Sequence, residues 1–314
     1  MKVFFCQSPT ISKKNSGECL ASFGVFDGLH KGHIYFLNKF LTQAKKRKFK
    51  SLLVTFWPHP LDFYRRKFLG YLTTYEEKID ILRKLSLDYL WVIKFNQKIA
   101  KLRGSQFIDY LLKYFKIKKF IVGEDLRFGY RRGEGVRDLR DICKERQIKL
   151  EVIEKLKIGG YLVSSSLIRN LIRRAELSLV KKFLGRFYSL KAKVIRGEKK
   201  GARVLGIPTV NLDPDKKILP PLGVYFTLTK YKGKLYRSLT NIGRAPTLKE
   251  KNEKIILETH IINFNKNIYK DSVEVFFLKR LRREKKFKSA LNLKLQILKD
   301  IESSRKFFSF PNIL

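Results

Sequence analysis

Near residue 185 the spacing of apolar side chains switches from one rhythm to another, and that switch constrains the architecture more than any single motif. Before it, short apolar runs alternate with segments whose apolar residues recur every three or four positions. Residues 20–26, 51–57, 89–95, 120–122 and 150–153 read as buried strands. Leu37, Phe40, Leu41 and Ala44 share one face of an intervening helix. Phe107, Tyr110, Leu111 and Tyr114 share the inner face of another, with Ser105 as its expected N-cap. Strands alternating with helices predict a parallel sheet with helices on both faces, and such sheets bind ligands beyond the carboxyl ends of their strands.

After residue 185 the period is two. Tyr188, Leu190, Ala192 and Val194 alternate with Ser189, Lys191 and Lys193, and Val224, Phe226 and Leu228 repeat the pattern before a turn at Lys232 and Gly233. Residues 255–264 and 273–278 are further expected strands, on either side of a polar turn at 265–267. Phe287, Leu291, Leu295, Leu298 and Ile301 then recur at helical spacing. A run of strands closed by one helix predicts an antiparallel β-barrel with a packed C-terminal helix. A chain of 314 residues is long enough for two such cores, and the expected domains are residues 1–184 and 185–314.

The composition narrows the functional classes. Apolar residues make up 44% of the chain, which supports packed cores despite a formal net charge of +41. That charge would attract nucleic acid, anionic lipid or phosphorylated substrates. The basic residues, however, are spread along the whole chain, so a general drift in composition accounts for them better than a binding patch. No zinc-finger spacing, aromatic RNA-binding motif or basic arm accompanies them, and nucleic acid is not an expected partner. Cys6, Cys19 and Cys143 are scattered and odd in number, which suits a reducing compartment. Residues 1–30 lack the layout of a signal peptide, and no apolar run approaches a membrane span. A cytoplasmic protein with no membrane association, monomeric or weakly self-associating, is expected.

The densest chemical signal is Phe23-Gly-Val-Phe-Asp-Gly-Leu-His-Lys-Gly-His33, between an apolar run and an amphipathic helix. Gly24, Gly28 and Gly32 permit close backbone approach to a ligand. His30 and His33 fall at a helix N-terminus, where unpaired N–H groups and the helix dipole favour phosphate. Capping or core packing would also explain these histidines. Metal ligation would need a third ligand that the spacing does not supply.

This segment resembles the GxFDGxHxGH signature of the nucleotidylyltransferase superfamily, whose sheet is Rossmann-like. Thr55-Phe-Trp-Pro-His-Pro60, Gly123-Glu-Asp-Leu-Arg-Phe-Gly-Tyr-Arg-Arg-Gly133 and Val163-Ser-Ser-Ser-Leu-Ile-Arg169 are similar to motifs of the bacterial bifunctional riboflavin kinase/FAD synthetase family. Leu126 stands where that family has Phe, and Ser166 where it has Thr. The resemblance implies ATP-dependent adenylylation of FMN. In such a reaction His30 and His33 would stabilise the α- and β-phosphates, and Ser164, Ser165 and Arg169 would hold the β- and γ-phosphates. Phe23, Gly24, Asp27 and Gly28 would complete the ATP site. His59, Asp125 and Arg127 would contact flavin or orient the substrate, although Asp125 and Arg127 could equally form an ion pair, and the serines a plain N-cap.

Downstream, Gly206-Ile-Pro-Thr-Val-Asn211 resembles the GFPTAN motif of riboflavin kinases, after a basic loop at 196–205 that is about one residue longer than expected. Pro220-Pro-Leu-Gly-Val-Tyr225, Asn241-Ile-Gly-Arg-Ala-Pro-Thr247, Leu257-Glu-Thr-His260 and Leu281-Arg-Arg-Glu-Lys-Lys-Phe287 follow in the family's order. The resemblance implies that Gly206, Pro208, Thr209 and Asn211 bind ATP, with Thr209 and Asn211 as Mg²⁺ ligands. Glu258 takes the position of the base for the ribityl hydroxyl, a poor nucleophile while protonated. A cross-strand partner for a lysine is the plain alternative for Glu258. Riboflavin, FMN and ATP are the implied substrates, and Mg²⁺ the implied cofactor. A chain retaining one activity, or another nucleotidylyltransferase, would share part of this pattern; the second would leave residues 185–314 unexplained.

Overall fold

The computed structural model describes residues 1–9, 16–64, 70–196, 206–245 and 254–309. The chain separates into two compact units, Met1–Ser165 and Ser166–Leu314. Among the described residues no helix is long and apolar enough to cross a membrane.

In the first unit, β1 (Lys2–Phe5), β2 (Glu18–Phe23), β3 (Lys50–Trp57), β4 (Tyr89–Lys94), β5 (Lys116–Gly123) and β6 (Lys149–Ile153) form one sheet in the order β1-β4-β3-β2-β5-β6. Every pairing is parallel. Both faces are covered, which is why the inner strands read as continuous apolar runs rather than alternations. On one face Leu52, Val54, Trp91 and Phe120 pack with Phe107 and Leu111 of α5 (Gly104–Tyr114) and Leu139 of α6 (Val136–Glu145). On the other, Leu53, Leu90 and Ile121 meet Leu37 and Phe40 of α1 (Lys31–Lys46) and Leu82 of α3 (Tyr75–Leu82). From β2 the chain steps to β3 and β4 on one side, then returns to β5 and β6 on the other. The carboxyl end of β2 is therefore the switch point at which such sheets open a crevice.

Two local expectations are corrected. The strand expected at 20–26 stops at Phe23, because Phe26 takes a left-handed φ of 48° and turns the chain away from the sheet. Helix α5 is not capped by Ser105. It begins at Gly104 behind Arg103, and the Gly104 N–H donates to the Glu134 carboxylate at 2.7 Å. A Cβ at position 104 would lie 2.6 Å from that carboxylate and 2.7 Å from the Phe128 ring. Close approach of an anion to the helix start replaces the side-chain cap. The edge strand β1 precedes the segment in which the strand pattern was legible.

A short hairpin of β7 (Lys157–Ile158) and β8 (Tyr161–Leu162) leads into α7 (Ser165–Arg173) and α8 (Leu177–Leu184). The second unit is a closed barrel of β9 (Tyr188–Ile195), β10 (Val210–Leu212), β11 (Gly223–Tyr231), β12 (Lys234–Ala245), β13 (Lys254–Ile261) and β14 (Ser272–Arg283), in the order β10-β13-β12-β11-β14-β9. The two-residue turn between β11 and β12 holds Lys232 at φ 44° and Gly233 at φ 83°, the pair of left-handed residues that matches hairpin twist. Strand β13 ends at Ile261, short of the expected 264. Thr229, Ser238, Thr227, Thr240 and Thr259 join hydroxyl to hydroxyl at 2.8–2.9 Å and are fully buried. Val224, Phe226 and Leu228 project to the other face of β11, where Phe226 stacks on Phe307 of α9 (Ala290–Phe308) at 4.2 Å.

Helix α9 does not present its leucine row inward. Leu291, Leu295 and Leu298 are 64%, 50% and 48% exposed, and Phe287 precedes the helix. The inward face carries Asp300, Ser304 and Phe308 instead. Arg282 fixes this rotation: its Nε and Nη2 donate to both Asp300 oxygens at 2.7–3.1 Å, and Gln296 adds a further bond. Removing one partner of a buried ion pair strands the other charge, which costs about 3–5 kcal/mol. Asp300→Ala is accordingly expected to destabilise the barrel unit by about that amount, read as a lower unfolding midpoint by circular dichroism.

Candidate active sites

The loop from Gly24 to His30 crosses the switch point at the end of β2. Gly28, at φ 86°, lies so close to Leu72 that a Cβ there would sit 2.8 Å from Leu72 Cδ1. The loop is fastened from several directions. Both oxygens of the buried Asp27 carboxylate accept from the Leu72 N–H, and one also accepts from the Thr73 N–H and hydroxyl, at 3.2–3.3 Å. The Gly28 N–H donates to Thr73 Oγ1, and Ser165 Oγ donates to the Asp27 carbonyl at 2.8 Å. Val25 O accepts from Thr55 Oγ1 and Lys78 Nζ.

His30 is the N-cap of α1, its Nδ1 accepting the His33 N–H at 3.2 Å. An accepting Nδ1 carries no proton, so Nε2 is the protonated, donating nitrogen. The His30 and His33 rings stack at 3.7 Å, side by side at the helix start. Capping and ligand donation are thus compatible in His30. His59 caps α2 (Pro60–Phe63) in the same way, with Nδ1 accepting from the Leu61 N–H.

The other residues expected to serve adenylyl transfer divide into groups. The Phe23 ring is buried among Phe107, Phe120 and Phe128 at 5.3–5.8 Å, which leaves its backbone for any ligand. Gly24 donates its N–H to Val54 O. Asp125, after the end of β5, pairs with Lys155 at 3.1 Å rather than with Arg127, which is exposed beside Gly135. Ser164 and Ser165 stand at the start of α7, and Arg169 is a buried residue one turn further along that helix. Thr73 and Lys78 escaped the sequence reading. The capping box of Thr74 and Glu77 marked the start of α3, but nothing in the pattern set Lys78 apart from other lysines.

In the barrel unit, Asn211 of β10 pairs in register with Glu258 of β13, and Glu258 pairs in register with Asn241 of β12. Leu212, Leu257 and Ile242 in the next row are buried, so the asparagines and the glutamate share the opposite face. Burial raises the Glu258 carboxyl above its ordinary 4.5. Asn241 completes this row although only its motif, not its side chain, had been singled out. The His260 Nδ1–H donates to Pro208 O at 2.8 Å and so fastens the turn that carries Thr209; Gly206 enters that turn at φ 69°. The loop at 197–205, and residues 246 and 247 of the asparagine-glycine motif, lie outside the described residues.

The family model for FAD synthetase matches residues 12–167, and that for riboflavin kinase matches residues 184–308. A bifunctional riboflavin kinase/FMN adenylyltransferase of Buchnera aphidicola subsp. Schizaphis graminum is 35% identical over 95% of this chain and 96% of its own. The chain belongs to the bifunctional riboflavin kinase/FMN adenylyltransferase family. The Bacillus subtilis protein of the same name is 31% identical over 95% of each chain. A crystal structure titled as a macrolide-efflux protein from Streptococcus pneumoniae superposes with a TM-score of 0.81 at 24% identity, covering 97% of this chain and 99% of that one; it supports the fold. The two family-model matches fall on the parallel-sheet half and the barrel half.

Proposed function

We propose that this bifunctional enzyme phosphorylates riboflavin to FMN in residues 185–314 and adenylylates FMN to FAD, releasing pyrophosphate, in residues 1–184. The observation that carries the second assignment is the stacked His30/His33 pair at the start of α1, at the switch point of the sheet. An FMN phosphate oxygen is already anionic, so attack on the ATP α-phosphorus needs no base. It needs alignment and relief of charge as the bond to pyrophosphate breaks. His30, through Nε2–H, and His33 supply donors there, assisted by the α1 dipole. Ser164, Ser165 and Arg169 serve the outer phosphates, and His59, Asp125 and Arg127 the flavin side. His33→Ala is expected to lower FAD formation from FMN about 10²–10³-fold, typical of losing one donor to a transition state. Undiminished pyrophosphate release from that variant would remove His33 from the mechanism.

The kinase faces the opposite problem, because its nucleophile is a neutral hydroxyl. Glu258 accepts the proton as the ribityl oxygen attacks the ATP γ-phosphorus and ADP departs. Asn211, in register with Glu258, and Thr209 two residues before it offer hard oxygen donors, which suits Mg²⁺ held partly by ATP oxygens. Such an ion would supply charge neutralisation on the phosphates. Gly206 and Pro208 shape the turn around them. Glu258→Gln should reduce FMN formation about 10²–10⁴-fold, while FAD synthesis from supplied FMN continues; loss of both activities would instead indicate a folding defect.

The pH dependence has a definite sign. A base must be ionised, and burial favours the protonated form of Glu258. The acid limb of kinase kcat/KM is therefore expected above the ordinary glutamate range and absent from the residual activity of Glu258→Gln. An acid limb at or below 4.5 in the wild-type enzyme would contradict this base.

A further inference from the structure

Lys78 is the buried charge that the reaction chemistry leaves unexplained. It lies on α3, is only 3% exposed, and directs Nζ to Val25 O at 2.8 Å. No ion pair among the described residues includes it. The charged group that acts on it is Asp27, from the loop after β2. β3 contributes the uncharged Thr55, and Glu77 on its own helix is engaged in the cap at Thr74. An unpaired ammonium inside a protein is costly, and a lysine spanning a purely structural gap could be replaced by an apolar side chain.

Its position gives that charge a use. The segment 72–78 holds the loop at three successive points: Lys78 binds the carbonyl of Val25, Leu72 and Thr73 bind the carboxylate of Asp27, and Thr73 binds the N–H of Gly28. His30 follows two residues later. Val25 lies between Gly24 and Phe26, and Phe26 and Leu29 have left-handed φ values of 48° and 38°, a conformation that non-glycine residues keep only when their surroundings enforce it. We propose that Lys78 is a positioning residue for adenylyl transfer, whose buried ammonium fixes the Val25 carbonyl and thereby the loop that aims His30 and His33, and biases that loop toward phosphate. This rests on the assignment of FMN adenylylation to the N-terminal half.

Burial lowers the Lys78 pKa to about 8, so the ammonium is charged at neutral pH and neutral in mild alkali. The full-length enzyme is assayed with FMN, ATP and Mg²⁺ for FAD, and with riboflavin, ATP and Mg²⁺ for FMN, across pH 6 to 10. FAD formation by the wild type should fall through an alkaline limb near pH 8, where the Lys78 ammonium loses its proton, and the kinase reaction should lack that limb. Lys78→Arg, which keeps its charge throughout this range, should retain activity and lose that limb. Lys78→Met should lower kcat for FAD formation about 10²-fold, as expected when a reacting constellation shifts by about an ångström, with little change in KM and normal FMN formation. An unchanged alkaline limb in Lys78→Arg, or wild-type kcat in Lys78→Met, would overturn the proposal. If Lys78→Met does not fold, the wild-type and Lys78→Arg profiles decide alone. A wild-type enzyme that makes no FAD from FMN would instead refute the adenylyltransferase assignment on which the proposal stands.

Discussion

The buried carboxylate of Asp27 is the interaction on which the N-terminal site depends. It accepts the N–H groups of Leu72 and Thr73 and so ties the end of the central strand to the segment leading into α3. A buried carboxylate with backbone donors is held far more firmly than one in water, because either partner alone would be an unsatisfied polar group in the interior. Phe26 and Leu29 stay in left-handed conformations because this junction, the Thr73 hydroxyl and the Val25 carbonyl bonds leave the loop no other path. The start of α1, and with it the stacked histidines, inherits its position from that fastening. Asp27 was grouped with the ATP-binding residues on the strength of its motif. Its carboxylate is engaged with the Leu72 and Thr73 N–H groups and the Thr73 hydroxyl.

In the barrel the corresponding constraint is the division between faces. Interior positions of β11, β12 and β13 carry threonine and serine, whose hydroxyls satisfy one another along a buried chain. Such a core tolerates polarity because every member has a partner. The opposite face of β11 is apolar and is covered by α9 through Phe307 and Phe308. Neighbouring strands align Asn211, Glu258 and Asn241 on the face opposite the hydroxyl chain, where Asn241 pairs in register with Val224 of the apolar cluster.

Much of this was legible from residues alone, for identifiable reasons. Burial on both faces makes β3 and β4 continuous apolar runs, and the period of two marks β9 and β11, so both fold classes could be read. The histidines were legible because three glycines and a helix pattern surround them. What failed was whatever depended on a distant partner. Ser105 looked like a cap because the anion that serves the start of α5 comes from Glu134, thirty positions away. The leucines of α9 looked like a core face because Arg282 and Asp300, which fix the rotation of the helix, are charged and read as surface. Lys78 was hidden in a chain with 69 basic residues, where one more lysine carries no signal.

The two sites also differ in the way the proposed chemistry requires. An anionic nucleophile meeting a polyphosphate is hindered by any free carboxylate nearby, since like charges repel and water is partly excluded. At the start of α1 the nearest motif carboxylate is Asp27, and its oxygens are turned into backbone N–H groups of the 72–73 segment, while the cation Lys78 lies beneath the same loop. A hydroxyl nucleophile needs the reverse: a carboxylate that is accessible, yet buried enough to hold a proton more tightly than a surface glutamate would. Glu258 is partly buried, shifted upward by that burial alone, and flanked in register by neutral asparagines that neither compete for the proton nor quench the charge. Within one chain, the carboxylate is held by backbone donors where the proposed chemistry needs no base, and carries only partial burial where it must have one.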